Sequence, residues 1–230
     1  MSAHTILGRL GLALGVFLIV SPAILFFLWM ISLSVKFEVD NAAYPPVFWP
    51  EHFAWKNYTD VLSSNRFFTY FKNSLLVTGG ATALAMLVGV PAGYGIARMA
   101  AHKSAIVIWI MIGYFETTPI ELEEAARIDG ATRWQVFRHV ALPVAKPGLA
   151  VAFILAVIFS WNNFVFGIVL AGRETRTLPV AVYNMISFDQ LSWGPLAAAA
   201  LIVTLPVLLL TVFAQRQIVA GLTAGAVKGG

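Results

Sequence analysis

Long runs without a charged residue alternate along this chain with shorter polar stretches, and the runs have the length of helices. Positions 11–33, 73–97, 147–171 and 195–214 contain no Asp, Glu, Lys, Arg or His. About 20 apolar residues cross a hydrocarbon core of about 30 Å as a helix, and lipid offers no partner for open backbone. Four transmembrane helices are therefore expected at those positions. The first follows Arg9 and is too long for the apolar core of a signal peptide. In the second, Gly89 and Gly93 lie four apart on one face, which admits a close neighbour helix. Pro91 beside them is tolerable if neighbours satisfy the freed carbonyl. The fourth opens with Pro195 in its first turn, where a missing N–H is harmless. A further run, 105–115, has about 11 residues, or roughly 16 Å of helix at about 1.5 Å per residue; it reads as a partial span.

Between these runs the chain is polar and turn-rich. The stretch 35–72 carries Pro45, Pro46 and Pro50, with Trp49, Phe53 and Trp55 suited to a membrane interface, and reads as an external loop. Gln217 to Gly230 is small, Gly-rich and weakly basic, a cytoplasmic end prone to fray. Arg9, Arg98, Lys103, the 121–146 stretch and Arg216 all fit a cytoplasmic side, although Lys36, Lys56, Arg66, Lys72, Arg173 and Arg176 then fall outside, so the positive-inside bias is moderate. No internal repeat is visible.

Composition sharpens this picture. Of 230 residues, 59% are hydrophobic and 11% charged, against about 25% charged in soluble domains, and mean hydropathy is +0.81. The chain is an all-α polytopic membrane protein. It has no Cys, which removes disulfides, thiolate catalysis and cysteine zinc sites. The net charge of +4 comes from basic residues scattered through short loops without a stripe, so nucleic acid is not an expected partner. His4, His52, His102 and His139 have no metal-ligand spacing, and no G-x-x-x-x-G-K-[ST] run is present for a nucleotide. Ionisable residues of the kind that build proton relays and coupling-ion sites are absent from the four runs, which disfavours ion-driven transport. A membrane-embedded enzyme is disfavoured too, since no nucleophile–base or paired-acid constellation lies at membrane depth.

The stretch 116–146 carries the most local information. Thr118-Pro119-Ile120-Glu121 has the composition of a capping box with Pro in the first turn, so a helix is expected through Asp129 to Gly130, a residue suited to a left-handed helix end. Thr132 and Gln135 offer a second capping box, and the helix they open is expected to stop before Pro143. Helix, glycine turn, helix makes a stiff knob that a soluble partner can grip. Ala125 and Ala126 allow close approach, and Trp134 and Phe137 are candidates for burial against the partner or the chain's own helices. An ordinary solvated loop with an amphipathic turn is the plainer alternative.

Glu124-Ala125-Ala126, then Gly130 after three residues, then Val140, Leu142 and Pro143, resemble the EAA loop of ABC-importer permeases, with Val140 where Ile is more usual. Around it, Ala126-Arg127-Ile128-Asp129-Gly130-Ala131 and Leu142-Pro143-Val144-Ala145-Lys146-Pro147 are similar to the carbohydrate-uptake, maltose-transporter branch. Asn57-Tyr58, Asn73-Ser74-Leu75, Leu178-Pro179, Trp193-Gly194-Pro195 and Gly221-Leu222-Thr223-Ala224-Gly225 extend the likeness. The resemblance implies a type I ABC-importer permease helix bundle in a bacterial inner membrane, working with a second permease subunit, an ATPase dimer and an external substrate-binding protein. It implies that the chain holds no cofactor and that ATP and Mg are bound by the ATPase. It also implies that the first loop helix docks in an ATPase cleft, with Glu124 and Gly130 at the contact, Ala125 and Ala126 beside them, and Asp129, Leu142 and Pro143 completing the coupling set. Such permeases have six core spans with the loop after the fourth. Four spans and a fragment are visible here, so part of a helical hairpin is expected to be missing near 103–108; the alternative is that the fragment joins the second span to the loop as a re-entrant segment.

One polar cluster lies inside a run. Trp161-Asn162-Asn163-Phe164 is either a helix–helix hydrogen-bonding patch or a pathway surface for a hydroxyl-rich solute, with Trp161 or Phe164 stacking on sugar faces. The function expected is a sugar-importer permease; a channel, an ion-coupled carrier or a non-functional truncated permease are the alternatives.

Overall fold

Every regular element is helical among the residues that the computed structural model describes, which are 3–64, 66–98, 106–186 and 191–226. Helices α1 (Ala3–Ser34), α4 (Phe67–Ala97) and α12 (Trp193–Ala226) each contain a stretch long and apolar enough to span a membrane. Side chains such as Phe17, Ile19, Leu76, Leu87 and Phe213 on these helices are exposed, the surface that lipid covers. Helix α12 continues through residues expected to fray, because its ladder runs unbroken past Gln217 to Ala226.

The chain forms two units, Met1–Thr69 with Pro179–Thr204, and Tyr70–Leu178 with Leu205–Gly230. In the first, the segment after α1 folds back onto the end of that helix with two short helices, α2 (Glu38–Asn41) and α3 (Lys56–Ser63). Asn57 Nδ2 donates to the carbonyls of Ser34 and Lys36 at 2.9 Å each, which satisfies acceptors that a helix end leaves open. Lys36 is 1% exposed, donates to the Val47 carbonyl at 2.7 Å and lies 4.8 Å from the Trp29 ring. Its pKa is pushed down by burial, which the charge of Asp40 opposes. The backbone N–H groups of Trp193 and Gly194 donate to the Glu38 carboxylate at 3.0 and 3.3 Å, placing an anion on the positive end of α12. A Cβ at Gly194 would lie 2.9 Å from Asn57 Cγ, so a side chain there would push the Asn57 amide off the two carbonyls it holds.

In the second unit, α5 (Ile106–Thr117) is the partial span. At about 18 Å it is too short to cross alone. It lies against the glycine face of α4, where a Cβ on Gly89 would fall 2.7 Å from Val107 Cγ1 and one on Gly93 2.7 Å from Met111 Cβ. Residue numbers rise together along this contact, so α4 and α5 run parallel. Much of the expected gap at 103–108 lies outside the described residues. Val90, Met111, Phe115 and Phe137 form the core with Ala141, Ala145, Ala152 and Ala156.

The run 147–171 is not one helix. It divides into α9 (Lys146–Trp161) and α10 (Val165–Leu170). Asn162 Nδ2 donates to the Ile158 carbonyl at 2.9 Å, an acceptor its own N–H also uses, and Asn163 Oδ1 accepts the Phe166 N–H at 3.3 Å. One amide closes the first helix and the other opens the second, the local competition that makes Asn poor inside helices. Between α10 and α11 (Leu178–Tyr183) the loop is pinned to α4: Asn73 Nδ2 donates to the carbonyls of Glu174 and Arg176, and the Ser74 hydroxyl accepts the Leu178 N–H at 2.8 Å.

Candidate functional site

Helix α6 (Ile120–Ile128), a turn at Gly130 and helix α7 (Arg133–Val136) build the expected knob. Gly130 has φ +87°. Its N–H bonds to the Arg127 carbonyl and the Ala131 N–H to the Ala126 carbonyl, 3.0 Å each, the paired bonds of a Schellman helix end. Thr132 and Gln135 form the predicted reciprocal capping box at the start of α7. The other predicted box does not form. Pro119 occupies the N-cap of α6 without a side-chain bond, and the Thr118 hydroxyl turns back to the Tyr114 carbonyl at 3.1 Å.

Nor does the second helix stop at Pro143. A π-turn over Phe137–Ala141 leads into α8 (Leu142–Val144), and the chain bends by 77° into α9. Proline lacks an N–H and crowds the carbonyl four residues back. The wider turn, with the Leu142 N–H reaching the Phe137 carbonyl, carries the backbone past that point.

Two faces of α6 have opposite fates. Glu124, Ala125, Asp129 and Gly130 are exposed, as is Ile128 at 86%, while Ala126 is half-buried. On the inner face, Glu123 is 2% exposed. Its carboxylate accepts from the Tyr94 hydroxyl at 2.9 Å and from Arg98 Nε at 3.2 and 3.3 Å, and pairs with Arg98 Nη2. Arg98 Nη1 donates to the Phe115 carbonyl at 3.0 Å. Burial raises the Glu123 pKa, but the hydrogen bonds from Arg98 and Tyr94 and the charges of Arg98 and Arg127 outweigh it and leave the group below its ordinary range. The Tyr94 ring meets Phe115 and Phe137 at 5.3 and 4.9 Å between centroids. Phe137 is thus buried in the chain's own core, while Trp134 stays 63% exposed above it.

Of the expected coupling residues, Glu124, Ala125, Ala126, Asp129 and Gly130 share the knob, whereas Leu142 packs on the core beneath and Pro143 is exposed on α8. Sequence reasoning missed Glu123, Tyr94 and Arg98. Trp161 is buried, edge-on to Phe71 at 6.2 Å, and Asn162 and Asn163 lie exposed at the helix break with Phe164 half-buried.

The fold and the knob define a multi-span helical membrane protein with a stiff helical projection outside its spans. A family description, "binding-protein-dependent transport system inner membrane component", matches residues 2–223, and the chain belongs to that family, placing it in a bacterial inner membrane. It is 29% identical over 262 aligned positions to the trehalose transport system permease protein SugB of Mycobacterium tuberculosis, covering 92% of this chain and 95% of the relative. The 262 positions draw on 92% of 230 residues, so about 50 positions of that relative have no counterpart here. The maltose/maltodextrin permease protein MalG of Escherichia coli is 44% identical over 126 residues, 54% of this chain and 43% of MalG. The crystal structure of a bacterial ABC transporter that imports the acidic polysaccharide alginate shares the fold, with TM-score 0.74 at 20% identity over 93% of this chain and 95% of that one.

Proposed function

We propose that this chain is a permease subunit of an ATP-driven importer for a sugar or related polyhydroxy solute, and that a separate ATPase drives it through α6 and the Gly130 turn. The observation that carries the reading is the division of α6 into a clamped inner face and an open outer face bearing Glu124, Ala125, Ile128 and Gly130. A partner that pushes on such a helix moves what its inner face holds. Asp129 belongs to the same docking surface; Leu142 packs on the core beneath it, and Pro143 completes the coupling set from the exposed side of α8. The ATPase dimer holds ATP and Mg, and a second permease and an external binding protein complete the assembly. Relatives named for trehalose and maltose support the sugar class. Asn162, Asn163 and Phe164 at the helix break belong to the solute pathway, since unwound backbone at membrane depth is tolerated where it is buried in protein or lines a water-filled cavity, and both amides are exposed here. Trp161 is the wall behind them.

The test is purification through a tag on this chain, with uptake of labelled maltose and trehalose into vesicles. A copurifying ATPase and ATP-dependent uptake that sugars inhibit are expected; a chain that transports without any ATPase would sink the reading. A second reading, a permease that binds its ATPase but cannot transport, is favoured by the length of α5 and the roughly 50 unmatched positions. It predicts ATPase retention without uptake.

A further inference from the structure

Glu123 is held by a side-chain pair from another helix. Tyr94 and Arg98, four residues apart around the end of α4, present a hydroxyl and a guanidinium fork to one buried carboxylate, and the remaining arm of the fork holds the Phe115 carbonyl near the end of α5. Three helices therefore meet at one ion pair, directly behind the exposed face of α6. Charge-assisted, forked hydrogen bonds fix geometry as well as distance, and parting this pair is resisted chiefly on the Glu123 side, whose buried carboxylate would be left unpaired while the half-buried Arg98 keeps some contact with solvent. The aromatic contacts of Tyr94 with Phe115 and Phe137 close the same node on its apolar side. Helix α6 also meets α7 and the π-turn over Phe137–Ala141, and the node adds a side-chain tie from its N-terminal half to the spanning helix α4.

We infer that Arg98, Glu123 and Tyr94 are positioning residues that lock α6 to α4, so that displacement of the docking helix by an ATPase is delivered to a membrane span as rigid-body motion. This rests on the docking role of α6 proposed above. The locked pair moves as one body; without the pair, α6 swings on the Gly130 turn while α4 stays behind.

The chain has no cysteine, so spin labels go only where they are introduced. Labels at Glu121→Cys on α6 and Leu87→Cys on α4, both exposed, are read by pulsed electron resonance in the transporter purified through a tag on this chain, without nucleotide and with Mg, ATP and vanadate. The separation is expected to stay constant between the two states in the parent. With Glu123→Gln added it should shift or broaden by several Å on trapping, with the ATPase still bound; combining Arg98→Glu with Glu123→Arg should restore constancy. An inert separation in Glu123→Gln overturns the inference, as does one that already changes in the parent. Loss of the ATPase from Glu123→Gln alone also overturns it, since the pair would then only shape the docking surface. Absence of any ATPase from the parent complex is a different result and rejects the docking role itself.

Discussion

Replacing Gly130 separates backbone geometry from partner contact. A Cβ there meets no atom within 4 Å, so nothing steric in this chain forbids a side chain. The obstacle is the φ of +87°, which costs an ordinary L-residue about 1–2 kcal/mol and a β-branched one more, whereas Asn adopts such conformations readily. If the ATPase recognises only the native turn, that strain appears as a smaller binding-competent fraction, and 1–2 kcal/mol weakens apparent affinity about 5- to 30-fold. The order expected is Gly130, then Gly130→Asn close behind, then Gly130→Ala, with Gly130→Val weakest. Titrating the ATPase onto the purified chain in detergent measures it, and membrane levels of all four should be similar. An Asn variant as weak as Val would refute the conformational account and place the partner's own surface against the Gly130 Cα.

Gly93→Leu should lower the thermal midpoint, because its Cβ would sit 2.7 Å from Met111 Cβ and overpacking costs about 1–3 kcal/mol; Gly79→Ala, with open space around it, should be neutral or slightly stabilising. Asn162→Leu or Asn163→Leu should alter sugar uptake or its competition profile while leaving the ATPase attached, and normal uptake in both would make the break purely structural. The depressed pKa of Glu123 means that its stabilisation is present above the unfolded value near 4.5 and lost as pH falls through the lower folded value. Midpoints measured against pH should show that acid-side loss in the parent and less of it in Glu123→Gln. Impermeant maleimide should reach Ala97→Cys and Glu116→Cys from the cytoplasmic side only; labelling of Glu116→Cys from outside would contradict the parallel arrangement of α4 and α5.

Features set by neighbours in sequence were legible, and those set by distant partners were not. The Gly130 turn and the Thr132–Gln135 box obey rules that act within six residues, and both are present. Gly89 and Gly93 announced a close neighbour but not which helix it would be. The first capping box failed because Pro119 fixes the backbone at the N-cap position and Thr118 found a nearer acceptor. Glu123 was invisible because its partners lie 25 and 29 residues away. A signal existed nonetheless: Tyr94 and Arg98 one turn apart, at the close of a run otherwise free of charge, needed an acceptor somewhere. The break within 147–171 has a related cause, since hydropathy registers lipid compatibility and is blind to side chains that compete for the helix ladder.

The parallel packing of α4 and α5 bears on what the chain lacks. Two neighbouring helices that both run toward the same face need a return path between them, and a returning span takes about 20 residues. Only eight residues separate the end of α4 at Ala97 from the start of α5 at Ile106. The roughly 50 positions that SugB has and this chain does not amount in length to about two spans of 20 residues with short connections. The node at which α4, α5 and α6 meet is present. On the docking role proposed for α6, a missing return span would leave this node in place and change the membrane path, which is why ATPase retention and solute uptake have to be measured on the same preparation.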